Sequence, residues 1–149
     1  QERRPVYRVE TLTGTVLLDA QHVVLPMPSE GPSLTGLRSI RGVKSPALPG
    51  AILRDPVLAR AAAVFEALEA LPALAEAEAL VEAGDPLRIA LVLPQRRTRM
   101  LLPEQGLAEA LKAYATVAPH LKPVGSSRWR ELDLRLLFND GRIISRIGE

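Results

Sequence analysis

The last nineteen residues of the chain carry the pattern that most constrains its fold. Apolar side chains alternate with polar ones from Glu131 onward, and a turn sequence, Asn139-Asp140-Gly141, follows before a second extended run over residues 142–147. Two such runs around an Asp-Gly turn predict a β-hairpin. Since no further strand follows in the sequence, the hairpin is predicted to lie at a sheet edge, where an unpaired backbone can accept another strand.

Composition predicts one domain with an aliphatic core. Hydrophobic residues make up 47% of the 149 positions but aromatic ones only 3%, so Leu, Val, Ile and Ala must fill the interior. There are 16 Arg against 3 Lys, a single Asn and no Cys. This composition suits a heat-stable protein, although a GC-rich genome produces the same bias.

Several classes of function are disfavoured by the residue types present. Without cysteine the chain has no disulfide, Cys-ligated zinc site or thiol nucleophile. A net charge of +2 is weak support for nucleic-acid binding. Neither a run of 18 apolar residues nor a signal peptide is present, and the opening Gln1–Pro5 without Met predicts a fragment of a longer protein.

The first half of the chain is predicted to begin with short strands and continue into a helix. Strands are expected over residues 6–10, 15–19 and 22–25, and a further short strand is expected near Leu37–Arg41 in a Pro/Gly-rich connection. Asp55-Pro56 opens a helix, since Asp caps the first turn and Pro suits its first position.

The second half is predicted to alternate between hairpins and a helix. Residues 77–83 favour helix by composition and strand by position, and strand is preferred. Residues 87–93 and 96–102 form a hairpin, Pro103-Glu104 opens a second helix that ends before Pro119, and the terminal hairpin follows. The fold class is therefore predicted as α+β, a mostly antiparallel sheet with two main helices and a C-terminal hairpin at the sheet edge.

No catalytic or cofactor motif is present. His22 and His120 lack a second ligand at helical spacing, the adjacent serines at 126 and 127 lack a nucleophile-elbow sequence, and no phosphate-binding glycine loop occurs. Glu76 and Glu78 are expected to be ordinary solvated charges. Asp133 and Arg135 project to the same side of a strand and predict a structural ion pair. The chain is accordingly predicted to be no enzyme, with no metal and no cofactor.

A cluster of basic residues on the middle hairpin leaves two hypotheses open. Arg96, Arg97 and Arg99 could be solvated charges that protect a sheet edge from aggregation. Alternatively they could bind an anionic surface, such as nucleic acid, lipid headgroups or an acidic protein. The interleaved aromatic residues that single-strand binders use for stacking are missing, so nucleic acid is not the favoured partner.

Several segments in order resemble the extracytoplasmic β domain of the bacterial cell-division family FtsQ, called DivIB in Gram-positive bacteria. Glu2-Arg3-Arg4-Pro5-Val6 resembles the family's exit from its POTRA domain, and residues 15–24 resemble its first hairpin. Leu34-Thr35-Gly36 matches a "P-x-L-T-G" segment, and Leu132-Asp133-Leu134-Arg135 resembles the "iDlRy" ending. The resemblance covers essentially the whole chain and rests on the order and spacing of these segments.

The resemblance implies a non-enzymatic scaffold of the divisome at the division septum. Residues 1–5 would end a POTRA-type domain or linker, and residues 6–149 would form the β domain. The full-length protein would be a single-pass protein of the cell membrane with this domain on the extracytoplasmic, periplasmic side.

The partners implied are the division proteins FtsB and FtsL, with a strand of FtsB extending the final strand of the domain. The resemblance also implies contacts with other membrane proteins of the divisome. It implies no nucleic-acid partner. Carried onto this chain, the partner-binding surface is Leu136, Phe138, Gly141, Arg142, Ile143, Ile144, Ser145 and Arg146.

Overall fold

The computed structural model describes residues 4–26, 37–74, 76–121, 128–135 and 143–148. Within these ranges the chain forms one mixed sheet of nine strands and two α-helices. The strands are β1 (Tyr7–Thr11), β2 (Gly14–Leu18), β3 (Val24–Leu25), β4 (Arg38–Arg41), β5 (Leu80–Glu82), β6 (Ile89–Leu93), β7 (Thr98–Leu102), β8 (Trp129–Asp133) and β9 (Ile144–Gly148). The helices are α1 (Pro56–Glu69) and α2 (Leu107–Val117).

The strands lie in the order β3-β2-β1-β4-β5-β6-β7-β8-β9. Pairs β1–β4, β4–β5 and β7–β8 are parallel, and the other five neighbouring pairs are antiparallel. Helix α1 connects β4 to β5 and α2 connects β7 to β8, because parallel neighbours need a long crossover. The predicted α+β class, the mostly antiparallel sheet and the position of the last strand at an edge are confirmed.

Both helices pack on the same face of the sheet, which we call the core face. Phe65 and Leu68 of α1 and Leu111 of α2 share one cluster of buried side chains with Val9, Ile40, Leu91, Met100 and Leu132 of the sheet. Alternate residues of each strand point into this cluster, as the period of two requires. The opposite face of the sheet, which we call the open face, carries most of the charged strand residues.

The predicted start of α1 is confirmed in detail. Asp55 adopts an extended N-cap conformation, and its Oδ1 accepts a 2.9 Å hydrogen bond from the N–H of Val57. Its Oδ2 accepts hydrogen bonds from the hydroxyl and N–H of Ser45 and from the N–H of Lys44. Asp55 therefore fixes both the helix start and the preceding loop.

Other predicted boundaries shift by a few residues. Helix α2 begins at Leu107 because Gly106, with φ 74°, is its left-handed N-cap, so the predicted start at Pro103 is wrong. The strand predicted over residues 77–83 is present but shorter. Leu87, expected in the middle hairpin strand, precedes β6 and is 73% exposed. The start of α2 and the bounds of these strands depend on the geometry of the adjacent turns, which the hydrophobic pattern does not predict.

The backbones of β4 and β5 come very close just beyond their paired residues. A Cβ built on Gly42 would lie 2.4 Å from the N atom of Gly84, and Gly42 has φ +100°. Only glycine satisfies both the left-handed backbone and the lack of space. The close approach lies at the carboxyl ends of the parallel pair, where the crossover through α1 begins.

Candidate partner-binding strand edge

Strand β9 pairs with β8 alone in the part of the chain that the structure describes. The antiparallel register places Arg130 opposite Ile147, Glu131 opposite Arg146, Leu132 opposite Ser145 and Asp133 opposite Ile144. Strand β8 is in turn held by its parallel pairing with β7. The terminal ribbon is therefore firmly attached on its inner side and forms one edge of the sheet.

The backbone of β9 directs two residues outward. The N–H of Arg130 donates to the carbonyl of Arg97 at 2.8 Å, so even-numbered residues of β8 face β7 and odd-numbered ones face β9. Backbone groups of successive residues alternate between the two sides of a strand, and Arg146 lies opposite Glu131, so Arg146 faces inward. Ser145 and Ile147 consequently point their N–H and C=O groups away from the sheet.

These outward groups have no backbone partner among the described residues. The opposite edge of the sheet differs in this respect. At β3, the N–H of Val24 donates to the carbonyl of Ala51, and the N–H of Gly50 donates to the carbonyl of Val24, both at 2.8 Å. The chain thus covers its β3 edge with its own backbone, whereas the described residues leave the β9 edge open.

Half of the site residues proposed from the sequence can be placed. Ile143 is half-buried against the core, Ile144 is 45% exposed, and Ser145 and Arg146 are exposed. Ile147, also 45% exposed, was missing from the proposed set although it lies on the same strand. The other proposed residues, Leu136, Phe138, Gly141 and Arg142, lie outside the described residues, as do Leu34-Thr35-Gly36 and residues 1–3.

Arg130 is a buried cation that the sequence pattern did not reveal. Strand β8 begins at Trp129, two residues before the predicted start, and its core face carries Arg130 beside Leu132 and Leu134. Arg130 is 7% exposed, and its Nη1 donates a 3.1 Å hydrogen bond to Oγ of Ser145. The bond attaches the edge strand to its neighbour through side chains as well as backbone.

The expected ion pair between Asp133 and Arg135 is confirmed. Arg135 donates from Nε to Oδ1 of Asp133 at 3.0 Å and from Nη2 to Oδ2 at 2.7 Å, and its own N–H also donates to Oδ1. The side-chain hydrogen bond from Arg135 is the main reason that the pKa of Asp133 lies below its ordinary value, against the effect of burial. The pair fixes the backbone where the chain leaves β8.

Charges of alternating sign cross the open face as one row. The row consists of Glu10, Arg41, Glu82, Arg99, Glu131 and Arg146. Arg41 lies 2.8 Å from Glu10 and 3.8 Å from Glu82, and Glu82 lies 3.4 Å from Arg99 across the small side chain of β6. Register continues the row, since Arg99 pairs with Glu131 and Glu131 with Arg146.

The basic cluster of the middle hairpin is divided among different partners. Arg96 donates to the carbonyl of Ala73, Arg97 occupies a left-handed turn position with φ 48°, and Arg99 belongs to the charge row. Strand β7 lies between β6 and β8, so the hypothesis that these arginines protect a sheet edge is wrong. The physical reason is that β8, which follows α2, pairs in parallel with β7 and covers its second side. Local sequence patterns do not predict this pairing.

Glu76, expected to be solvated, is buried at 5% exposure. Its Oε1 accepts a 2.8 Å hydrogen bond from the N–H of Gln95, and its Oε2 has no partner in the described part of the chain. Burial raises the pKa of Glu76 above its ordinary value, although the hydrogen bond from Gln95 and the charge of Arg96 oppose the shift. Glu78 is exposed, as expected.

In the described part of the chain, neither histidine lies in a group of residues that could bind a metal ion. His22 contacts the edge of the Tyr7 ring, and His120 ends a short 3-10 turn after α2. Among the described residues no group of three or more His, Asp or Glu side chains could hold a metal ion. Within the same residues, neither helix has the length and hydropathy needed to cross a bilayer.

Comparison with known proteins gives no assignment. No protein-family model matches the chain, and no curated protein matches it.

Proposed function

We propose that this domain is a non-enzymatic partner-binding module of the FtsQ/DivIB type, which binds FtsB, in complex with FtsL, by strand addition to β9. The observation that carries the proposal is the outward backbone of Ser145 and Ile147 on a strand whose inner side is fully paired. The choice of the FtsQ/DivIB family rests on the order and spacing of the sequence segments that resemble it. The scaffold role at the division septum, the single membrane span and the extracytoplasmic location belong to the same proposal.

Strand addition suits this edge because the energy comes from the main chain. Each outward N–H and C=O pair can form ladder hydrogen bonds with an incoming strand, whatever that strand's side chains are. The exposed Ile144 and Ile147 provide apolar contacts, one on each face of the edge. A short added strand of this kind is expected to bind with a Kd of about 1 µM, or about −8 kcal/mol.

The test uses two substitutions of one outward-facing residue. Ile147→Pro removes the outward N–H but is compatible with an edge strand, whereas Ile147→Ala keeps the N–H and removes most of the side chain. Titration calorimetry with the extracytoplasmic part of the FtsB–FtsL complex from the same source should show binding lost in the first variant. The alanine variant should retain binding within about tenfold.

A readout of the binding mode accompanies the affinities. In wild type, amide signals of Ser145 and Ile147 should shift on adding partner and become protected from hydrogen exchange, since they enter a ladder. Circular dichroism and thermal unfolding establish that both variants remain folded. Unchanged partner affinity in a folded Ile147→Pro variant would falsify the assignment of β9 as the binding edge.

The alternative, binding of an anionic surface through Arg96, Arg97 and Arg99, gains no support from the geometry. These side chains lie in different elements and engage different groups. The open face carries alternating charges where such a surface needs a single sign.

A further inference from the structure

Arg146 ends the charge row at the open edge of the sheet. It faces Glu131 by register, is exposed, and forms no ion pair with any described residue. The interior members of the row each have an opposite charge on both sides, whereas Glu10, at the other end, lies opposite Thr15 of β2. Arg146 has an opposite charge on the β8 side only.

We propose that the strand added to β9 carries Asp or Glu at the position opposite Arg146, flanked by apolar residues that pair with Ser145 and Ile147. The inference rests on the proposed strand addition and names the partner's side chains. An acidic residue at that position extends the alternation by one strand. A basic residue would face Arg146 directly, and like charges in directly opposed positions are destabilising.

The two faces of the edge require different side chains. Arg146 and Ile144 lie on the open face, with Glu131 and Asp133. A cleft of about 240 Å³ adjoins them there, and Arg99, Glu131, Ile144 and Arg146 contribute to its lining.

The core face of the edge carries Ile143 and Ile147 on either side of Ser145. Ile147 is 45% exposed there, opposite the buried Arg130, and Ile143 packs partly against the core. Branched apolar residues on this face of an incoming strand would cover Ile147 and extend the core by one strand. The expected partner strand thus alternates, with an acidic residue between two apolar ones.

A palindromic peptide tests the charge without knowledge of strand direction. The probe is Val-Thr-Val-X-Val-Thr-Val, capped at both ends and carrying a short ethylene-glycol tail, with X as Glu, Gln or Lys. Because the sequence is the same in both directions, X can face Arg146 in a parallel or an antiparallel complex. Affinities are measured by fluorescence anisotropy, and the site by the amide shifts of Ser145 and Ile147.

The expected result is an order of affinities that follows charge. Wild type should bind the Glu peptide about fivefold more tightly than the Lys peptide, with Gln between them, as for an exposed ion pair. Arg146→Glu should reverse the order, and Arg146→Gln should remove it. Arg8→Glu, a matched reversal on the open face of β1, should leave the wild-type order unchanged, and 0.5 M salt should reduce the preference.

Two failures are distinguishable. Equal binding of all three peptides, with shifted amides at Ser145 and Ile147, overturns the assignment of Arg146 but leaves strand addition intact. Absence of any shift at these amides with all three peptides overturns both the charge assignment and the edge on which it depends.

Discussion

The guanidinium of Arg130 donates a hydrogen bond to the hydroxyl of Ser145, joining a buried strand residue to the exposed edge strand. Arg130 lies on the core face, where an uncompensated charge would be costly. Its bond to Ser145 therefore contributes to holding β9 in the register that directs Ser145 and Ile147 outward. The buried cation and the binding edge are parts of one arrangement.

Replacing Ser145 with Ala should weaken this arrangement. The variant removes the acceptor and is expected to lower the free energy of unfolding by about 1 kcal/mol, measured by urea denaturation. Ser39→Ala, on the open face of β4, should change stability by less than about 0.5 kcal/mol. Equal effects of the two substitutions would show that the Arg130 bond contributes nothing measurable.

Asp55→Ala should destabilise the domain by about 1–2 kcal/mol at neutral pH, since it removes the N-cap of α1 and the acceptor for Ser45. Burial acts to raise the pKa of Asp55, but the hydrogen bonds from Val57, Ser45 and Lys44 outweigh it and hold the pKa below the ordinary 3.8. A lowered pKa in the folded state means that the stabilisation is present above pH 3.8 and is lost as pH falls through the folded value.

The gap between wild type and Asp55→Ala should therefore shrink in acid. Urea unfolding at several pH values below 5 measures it. Asp85→Ala removes a carboxylate that caps only an exposed turn, at the N–H of Leu87, and serves as the control. A gap that stays constant through the acid range would argue against an ionised Asp55 as the stabilising species.

Glu76→Gln should stabilise the domain by about 1 kcal/mol at neutral pH. The substitution keeps an oxygen acceptor for the N–H of Gln95 and removes a charge from a buried position. Because burial raises the pKa of Glu76 above its ordinary 4.5, the contribution of Glu76 to wild-type stability is greatest below pH 4.5 and falls as pH rises through the folded value.

The advantage of Glu76→Gln should accordingly disappear as pH is lowered to 4.5 and below. Thermal unfolding across that range measures it, with the exposed Glu78→Gln as the matched control. A variant less stable than wild type at neutral pH would mean that the charge attraction of Arg96 outweighs the cost of burial.

Gly42→Ala should destabilise more than Gly50→Ala. Both glycines have positive φ, +100° and +81°, so each substitution incurs backbone strain of about 1 kcal/mol or more. Only Gly42 faces another backbone, so its alanine variant should lose about 3 kcal/mol in total. The difference in urea unfolding isolates the close approach to Gly84, and equal losses would mean that the β4–β5 contact relaxes freely.

Local chemistry was sufficient for much of the secondary structure. Asp55-Pro56 predicted the start of α1 correctly because capping depends on residues adjacent in sequence. Strands β1 and β2 and the strand near residues 37–41 were likewise predicted from neighbouring residues. Helix α2 was predicted, but it begins at Leu107 and not at Pro103-Glu104, because Gly106 determines its cap.

The site was predicted only as far as local pattern allows. Alternation from Glu131 and the turn sequence after it predicted a terminal hairpin at a sheet edge, and the structure places β9 at an edge. Which of its residues point outward depends on the pairing of β8 with β7, which lies across a helical crossover. Ile147 was missed for that reason, and Arg130 was missed because the pattern does not distinguish a buried paired arginine from an exposed one.

By itself, the sequence determined the α+β class, the helix start at Asp55 and the antiparallel pairing of the last two strands, since these depend on propensities and spacing within short segments. Only the tertiary structure decided the interior position of β7, the burial of Arg130 and Glu76, and the charge row that ends at Arg146. Each of these features arises because segments far apart in sequence lie side by side in the sheet. The free energy of that pairing depends on both segments, so neither segment predicts it alone.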